Sequence, residues 1–519
     1  MARMGTGRLR REKPLPDFVN QFGWCTWDAF YQDVSLEKVR EGLESFAAGG
    51  LTPKLLILDD GWQSVAKKPS GEQRLTAFEA NEKFPGDLAP TVAMAKSEFG
   101  VETFLVWHAM TGYWGGVDGD ALPGYDVRPT LRNFSPGIVN HAGSFNENWW
   151  GPIVGLVPPD SAYRFFQDYH RHLRAQGVDG VKVDTQATLE GVAAGLGGRV
   201  NLMHRTHEAL EGSVQTQFAG NLINCMSCSN DMLYGALNST VTRTSTDFWP
   251  DLPASHGEHL YINAQVSAWF GEFVHPDWDM FQSGHAMGGF HAAGRAVSGG
   301  PVYVSAKPGA HDFALLGKLV LPDGSVLRAL EPGRPTRDCL FHDPTGEDVL
   351  LKIFSRNIGS GVVGVFNARY AEGDVESLRL TGAVGPTDVE GLTGDRFVIY
   401  GHGEGTAQVL SREETRSVSL PSLGYDVFTL VPINGGVAPI GLADMFNSAG
   451  AITVKGLSGS DAYEMTVRGE GRFLIWTERT PSQLEVDGKS SEFAYDAETS
   501  LLTFILPNTK AARIRIVLE

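Results

Sequence analysis

Apolar and polar positions repeat with two different periods along this chain. From residue 20 to about 325, short runs rich in β-branched residues alternate with stretches whose apolar positions recur every three to four residues. The first strand candidate is QFGWCTW, 21–27, followed by SLEKVREGLESFAAGG, with Ser35 as N-cap and Gly49 as C-cap. PKLLILDDGW ends a second strand at Asp59. DLAPTVAMAKSEFG then leads to VETFLVWHAM. A loop over 111–160, rich in Gly, Pro, Asn and Trp, precedes the helix SAYRFFQDYHRHLRAQG. That helix feeds VDGVKVDTQ. A helix around 197–212, NLINCMS, a short helix and STVTRTSTDF follow. EHLYINAQVSAWFGEF, DWDMF, GHAMGGFHAAGRAVSGG, PVYVSAKPG and DFALLGKLVL complete the series.

Eight strand candidates, each followed by a helical run, imply right-handed parallel crossovers. Eight such units in about 300 residues fit an α/β fold of the (β/α)8 barrel type. No GxGxxG stands at the first strand–helix turn, and KPGA and GLGG lack the context of a phosphate loop. After residue 335 the texture becomes short strands separated by Gly, Asn, Asp and Pro, which predicts an all-β sandwich. The boundary is expected near EPGRPTRD. This gives an arm over 1–19, loose from Met1 to Lys13, a barrel over 20–330 and a C-terminal β-sandwich over 331–519. Residues 435–519 are either a second β unit or the rest of the same sandwich.

Composition narrows the partners. The chain has 519 residues, and its net charge of −18 argues against nucleic acid and anionic membranes. No run of 18 apolar residues exists to span a membrane, and no basic start leads into an apolar signal segment. Four cysteines are too few for a disulfide framework and suit a reducing, cytoplasmic setting. Cys225 and Cys228 form a C-x-x-C, but no two further ligands stand at zinc-site spacing, so no metal is expected.

In a barrel of this kind, chemistry gathers at the C-terminal strand ends. Those ends carry Trp24, Trp27 and Asp28; Asp59, Asp60 and Trp62; Trp107 and His108; and Lys182 and Asp184. The later ends carry Cys225 and Ser227; Arg243 and Asp247; Asp277, Trp278 and Asp279; and Lys307. Carboxylates and cations hydrogen-bond hydroxyls, and tryptophan faces stack on the C–H face of a sugar, so the set suits a carbohydrate. Cleavage of a glycosidic bond needs two carboxyls, for which Asp184 and Asp247 are candidates. Lys182 lies two residues before Asp184, on the same side of its strand, where its charge would keep Asp184 ionised. The plainer readings are a structural Lys–Asp pair, a turn at Asp59–Asp60, core packing for the tryptophans, and packing histidines at His108, His285 and His291.

FGWCTWDAFY, LDDGWQS, VWHAMTGYWGGV, DGVKVDTQ, PDWDMF, KLVLPDGSVLRA, PGRPTRDCLF and APIGLADMFNS resemble the raffinose synthase and seed imbibition protein group. With the alkaline α-galactosidases, that group forms part of glycoside hydrolase family 36. The resemblance runs from about residue 14 to the C-terminus. It implies a (β/α)8 barrel with a C-terminal β-sandwich, and retaining hydrolysis or transfer of a terminal α-galactosyl group. By resemblance, Asp184 matches the nucleophile and Asp247 the general acid/base. Asp59 and Asp60 match the pair that binds sugar hydroxyls, Lys182 and Arg243 the cations beside the two acids, and Trp27 a wall of the galactose pocket. Trp107, Cys225 and Asp279 complete the expected substrate-binding set. The retaining mechanism needs no metal or cofactor.

There are departures from the family pattern. A β-rich domain precedes FGWCTW in plant members, and its loss would open the site or leave an interface for a homo-oligomer. The usual S-D-D-F reads Ser245-Thr246-Asp247-Phe248, VQN is replaced by Thr185-Gln186-Ala187, and SDKPG reads Ser305-Ala306-Lys307-Pro308-Gly309. The main expectation is an α-galactosidase acting on α-galactoside oligosaccharides. The alternatives are a galactosyltransferase using a sugar acceptor chosen by loops 111–160 and 248–258, or a non-catalytic galactoside-binding protein.

Overall fold

The computed structural model of the chain describes residues 3, 5–134, 151–457 and 462–519. Eight strands occur in the expected order: β1 (Phe22–Cys25), β2 (Leu55–Leu58), β3 (Thr103–Ala109), β4 (Gly180–Asp184), β5 (Leu222–Asn224), β6 (Val241–Arg243), β7 (His275–Asp277) and β8 (Val302–Val304). They form one sheet in which β1 through β7 are sequential neighbours and β8 lies beside β1. The pairings from β1 through β7 are all parallel. The Tyr303 hydroxyl donates to Asp277 Oδ2 at 2.8 Å, joining a β8 side chain to a β7 side chain. This is the (β/α)8 barrel that the alternation predicts.

The crossover helices follow from the sequence pattern. Helix α1 (Leu36–Ala48) starts where Ser35 Oγ accepts from the Lys38 amide, and ends at Gly49. Its buried positions Val39, Gly42, Leu43 and Phe46 form the expected stripe. Helices α2 (Ala89–Phe99), α3 (Pro159–Ala175) and α4 (Arg199–Phe218) follow β2, β3 and β4. One turn, Asn230–Leu233, follows β5. Helices α5 (Ser255–Phe270) and α6 (Gly288–Ser298) follow β6 and β7, and Phe313–Leu316 follows β8.

Side-chain parity divides the strands into two faces. Cys25, Leu55, Ile57, Leu105, Ile223, Val241 and Tyr303 share one buried cluster with Phe18 and Val19. That cluster fills the barrel interior. Trp24 has the opposite parity and packs edge-on against Phe46 of α1, with ring centroids 5.9 Å apart. His108 also has the outward parity. It meets His170 of α3, Nε2 to Nε2 at 3.1 Å, so it is a packing residue.

Two compact units make up the chain. One comprises Met1–Thr246, Phe270–Met280 and Tyr303–His311; the other comprises Asp247–Trp269, Phe281–Val302 and Asp312–Glu519. The change of texture near residue 331 is therefore not where the compact units divide. The reason lies in the packing of α5 and α6 inside the second unit. Gly257 of α5 lies so close to the Ala368 carbonyl that an added Cβ would sit 1.9 Å from it. Phe290 of α6 stacks edge-on with Phe366 at 5.3 Å.

The strands after residue 350 are antiparallel. One six-stranded sheet runs from Arg334–Pro335 to Tyr425–Pro432, and a separate sheet is built from strands of Val437–Leu518. Each has its own core. Val398, Tyr400 and Val431 of the first meet Ala438, Ile440, Leu474 and Trp476 of the second in a shared cluster. Residues 435–519 are thus a second sheet, packed face to face with the first.

Two expectations need correction. The segment before β1 is anchored, not loose. Lys13 is buried, and its ammonium donates to the carbonyls of Ala236 (3.2 Å) and Ser239 (2.8 Å). Burial pulls its pKa down to about 8. Arg10 adds bonds to Glu272 and Gly271. A hairpin, Gln63–Lys67 with Gln73–Ala80, follows β2 where no element was expected.

Candidate functional site

The inward parity of the strands continues past their apolar layer into a polar one. Asp59 follows Leu55 and Ile57 in step, Trp107 follows Leu105, Lys182 and Asp184 follow Gly180, Cys225 follows Ile223, and Arg243 follows Val241. Every one of these side chains is buried. The period of two therefore brings residues from five strands to one end of the barrel, where an isolated charge would be costly.

Two buried ion pairs meet that cost. Lys182 Nζ lies 2.7 Å from Asp59 Oδ2, with both side chains about 5% exposed or less. The i, i+2 spacing pointed Lys182 toward Asp184; its ion pair is instead with Asp59, brought close by the barrel from 123 positions away. Burial opposes the lysine's charge, but Asp59, with Cys25, Cys225 and Tyr303 adding, holds the pKa well above the ordinary value. The Cys25 thiol, at 3.2 Å from the same oxygen, is pushed well up by burial and by Asp59. The second pair is Arg243 Nη1 with Asp279 Oδ1 at 2.5 Å, both side chains at 1% exposure or below. Arg243 Nη1 also reaches Cys225 Sγ at 3.7 Å. The Asp279 amide donates to Asp277 Oδ1 at 3.0 Å. The Asp277–Asp279 segment is thus part of the buried layer, not a surface turn. Burial first, with Asp279 adding, raises the Asp277 pKa.

Asp60 is held by three donors. Oδ1 accepts from the Tyr113 hydroxyl (2.8 Å), and Oδ2 from Trp114 Nε1 (2.9 Å) and Gln32 Nε2 (2.8 Å). Burial raises its pKa against these three bonds. Gly61 makes the arrangement possible. Its φ is +117°, and an added Cβ would sit 2.6 Å from the Gln32 backbone. None of Gln32, Tyr113 or Trp114 was singled out in the sequence, although all three fall at or beside quoted motifs.

Asp184 ends β4. Its Oδ2 accepts from Trp107 Nε1 at 3.0 Å and its Oδ1 from the Thr185 amide at 2.6 Å. The β3–β4 register pairs Trp107 with Lys182 and Ala109 with Asp184, so the indole leans one step along the strand to reach the carboxylate. Thr185 takes φ +63°, and Asp279 takes φ +68°. Left-handed non-glycine residues at two strand ends store strain where carboxylates are aimed.

Asp247 lies four residues beyond Arg243 in sequence and opens the second unit, half-buried. Its neighbour Phe248 is buried and packs edge-on against His291 at 4.8 Å. Arg295 donates to His291 Nδ1 at 3.1 Å, which leaves His291 Nε2–H to donate to His256 Nδ1 at 2.8 Å. Arg295 also reaches His259 Nε2 at 3.3 Å. Burial drives the His291 pKa well down and that of His256 to about 4. His291 is a structural residue in this network.

Trp27 is half-buried, packed partly on the interior cluster and edge-on to Tyr31 at 5.2 Å. With Tyr31, Gln32, Lys67, Gln73 and Trp114 it lines a cavity of about 390 Å³. A larger cavity, about 470 Å³, lies among Phe18, Gln21, Thr103 and Thr240, at the N-terminal ends of the strands and away from the polar layer. Residues 135–150 of loop 111–160 lie outside the described residues. No helix among the described residues is long and apolar enough to cross a membrane.

The chain is similar to known proteins in sequence and in fold. The sequence profile described as "Raffinose synthase or seed imbibition protein Sip1" matches residues 1–506. The chain is 42% identical to "Probable galactinol--sucrose galactosyltransferase 6" of Arabidopsis thaliana, over 96% of this chain and 72% of that protein. It is 38% identical to the galactinol–sucrose galactosyltransferase of Oryza sativa subsp. japonica, over 99% and 72%. It is 30% identical to the stachyose synthase of Pisum sativum, over 94% and 73%. Among solved structures, a family 27 β-L-arabinopyranosidase from Geobacillus stearothermophilus shares the fold with a TM-score of 0.56 at 13% identity, over 80% of this chain and 98% of that one. α-Galactosidase I from Mortierella vinacea gives 0.51 at 13%, over 80% and 97%.

Proposed function

As the chain belongs to the raffinose synthase or seed imbibition protein family, we propose that it transfers an α-galactosyl group from an α-galactoside donor to a sugar hydroxyl, with retention. Asp184 is the nucleophile of this reading. Its carboxylate attacks the anomeric carbon as the bond to the leaving oxygen breaks, and Asp247 gives that oxygen its proton. In the second half Asp247 takes the acceptor's proton, the acceptor oxygen attacks, and the ester bond to Asp184 breaks. Asp59, Asp60, Lys182, Arg243, Asp279, Cys225, Trp107 and Trp27 bind the galactosyl group.

The observation that carries this reading is the setting of Asp184. A carboxylate at a barrel strand end accepts one bond on each oxygen, from Trp107 and from Thr185, beside a buried Lys182–Asp59 pair. Fixed donors of this kind favour the ionised form that a nucleophile needs. The relatives' names favour a sugar acceptor over water, so transfer replaces hydrolysis as the first reading.

The test is a screen of aryl α-glycosides with trapping of the covalent intermediate and peptide mapping. The label is expected on the peptide bearing Asp184, with a new trisaccharide when sucrose is present. A label elsewhere removes Asp184 from the role. Free galactose as the sole product, with sucrose in excess, makes water the acceptor.

A further inference from the structure

We infer that the cavity bounded by Trp27, Tyr31, Trp114 and the hairpin residues Lys67 and Gln73 is a subsite for a neutral, polyhydroxylated acceptor. This deepens the proposed function and rests on it.

The chemistry of the lining supports that ligand class. Tyr31 is 49% exposed and stands edge-on to Trp27. Exposed aromatic faces stack on the C–H side of a sugar ring. Lys67 and Gln73 are opposite each other in the hairpin, so their side chains leave on one face. An ammonium and an amide there would meet hydroxyls; an apolar occupant would strand them. An anion would sit near Asp60, whose Oδ2 is reached by the two lining residues Gln32 and Trp114. The volume, about 390 Å³, is within the usual range for a small-molecule site.

Position ties the cavity to the transfer. The Trp114 ring lies 5.5 Å from that of Trp107, which donates to Asp184. Trp114 thus lines the cavity and also packs on the ring that holds the proposed nucleophile, which puts the cavity beside the site of transfer. Tyr31 supplies a second, independent sign. Its backbone has φ 48° and ψ −139°, a conformation that strains any residue but glycine. A large, exposed ring thus stands where the backbone favours glycine.

The test uses the full chain, sucrose as probe and two variants: the double Lys67→Ala/Gln73→Ala, and Tyr31→Gly, which deletes the ring while relieving the backbone. Saturation-transfer NMR reads sucrose binding. The ratio of transferred to hydrolysed galactose, with an aryl α-galactoside as donor, reads acceptor use. Each variant is expected to lower both by about fivefold to tenfold, the loss of one or two ring or hydrogen-bond contacts. Absence of sucrose binding to the parent chain, or binding and ratio unchanged in both variants, overturns the subsite. If the parent turns over no α-galactoside, the proposed function falls, and the binding measurement alone decides the subsite.

Discussion

Trp107 donates its indole N–H to Oδ2 of Asp184 at 3.0 Å, from one barrel strand to the next. A tryptophan that could have been plain core is therefore the partner of the proposed nucleophile. Trp62 steadies it from behind, donating to the Trp107 carbonyl at 2.9 Å.

Replacing Trp107 by Phe keeps the ring packing and removes that donor. A hydrogen bond to a charged group contributes roughly 1.5–3 kcal/mol, so kcat/KM is expected to fall about 10- to 100-fold. The acidic limb of the pH–rate profile should move to higher pH, since the charged carboxylate loses a bond. A profile identical to the parent's would remove Trp107 from this role.

Lys182→Met leaves Asp59 buried without its cation. The expected loss of stability is about 3–5 kcal/mol, read from the denaturation midpoint. Adding Asp59→Leu should recover most of the stability and none of the activity. If the single variant is as stable as the parent, the pair does not hold the barrel end together.

How much of this could be read along the chain? The eight strands could, because period two and period 3.6 separate cleanly in runs such as PKLLILDD and SLEKVREGLESF. The inward line of Asp59, Lys182, Asp184 and Arg243 could too, because it continues the parity of the apolar layer. The partners could not. Lys182 is two residues from Asp184, yet its ion pair is with Asp59, because curling the sheet brings β2 and β4 to one interior. The hairpin over Gln63–Ala80 was missed because most of its positions are half-buried, which leaves no clear alternation. The grouping of α5 and α6 with the C-terminal strands was also invisible, since their residues suit either neighbour.

His108 and His170 predict acid sensitivity. Both are buried, and their pKa values are lowered by burial, His108 to about 4. Above about pH 6.5 both the folded and unfolded imidazoles are neutral, and this contribution to stability is fully present. As pH falls below 6.5 the unfolded chain takes the proton first, so stability drops until the folded His108 titrates near 4. The drop is about 3 kcal/mol for His108 alone. Unfolding midpoints from pH 7 to 4 should lose that dependence in His108→Gln. An unchanged slope assigns the acid sensitivity to other groups.

Gly61→Ala tests how Asp60 is held. A side chain at φ +117° costs about 1–3 kcal/mol, and its Cβ would push on the Gln32 backbone. Stability and donor affinity should fall together, with affinity falling about as far as in Gln32→Ala. Loss of stability with unaltered affinity would separate Gln32 from substrate binding.

The left-handed backbone at Thr185 and Asp279 has a consequence for stabilising the protein. Glycine at Thr185 would relax the backbone at the loss of the bond its hydroxyl accepts from the Met110 amide, whereas glycine at Asp279 would strand the buried Arg243. At Thr185 the change would also loosen the aim of Asp184, whose Oδ1 accepts from the Thr185 amide. A threonine at position 185 thus exchanges backbone ease for a fixed carboxylate. Thermostabilising substitutions are therefore best sought in the C-terminal sheets, with the strand ends left alone.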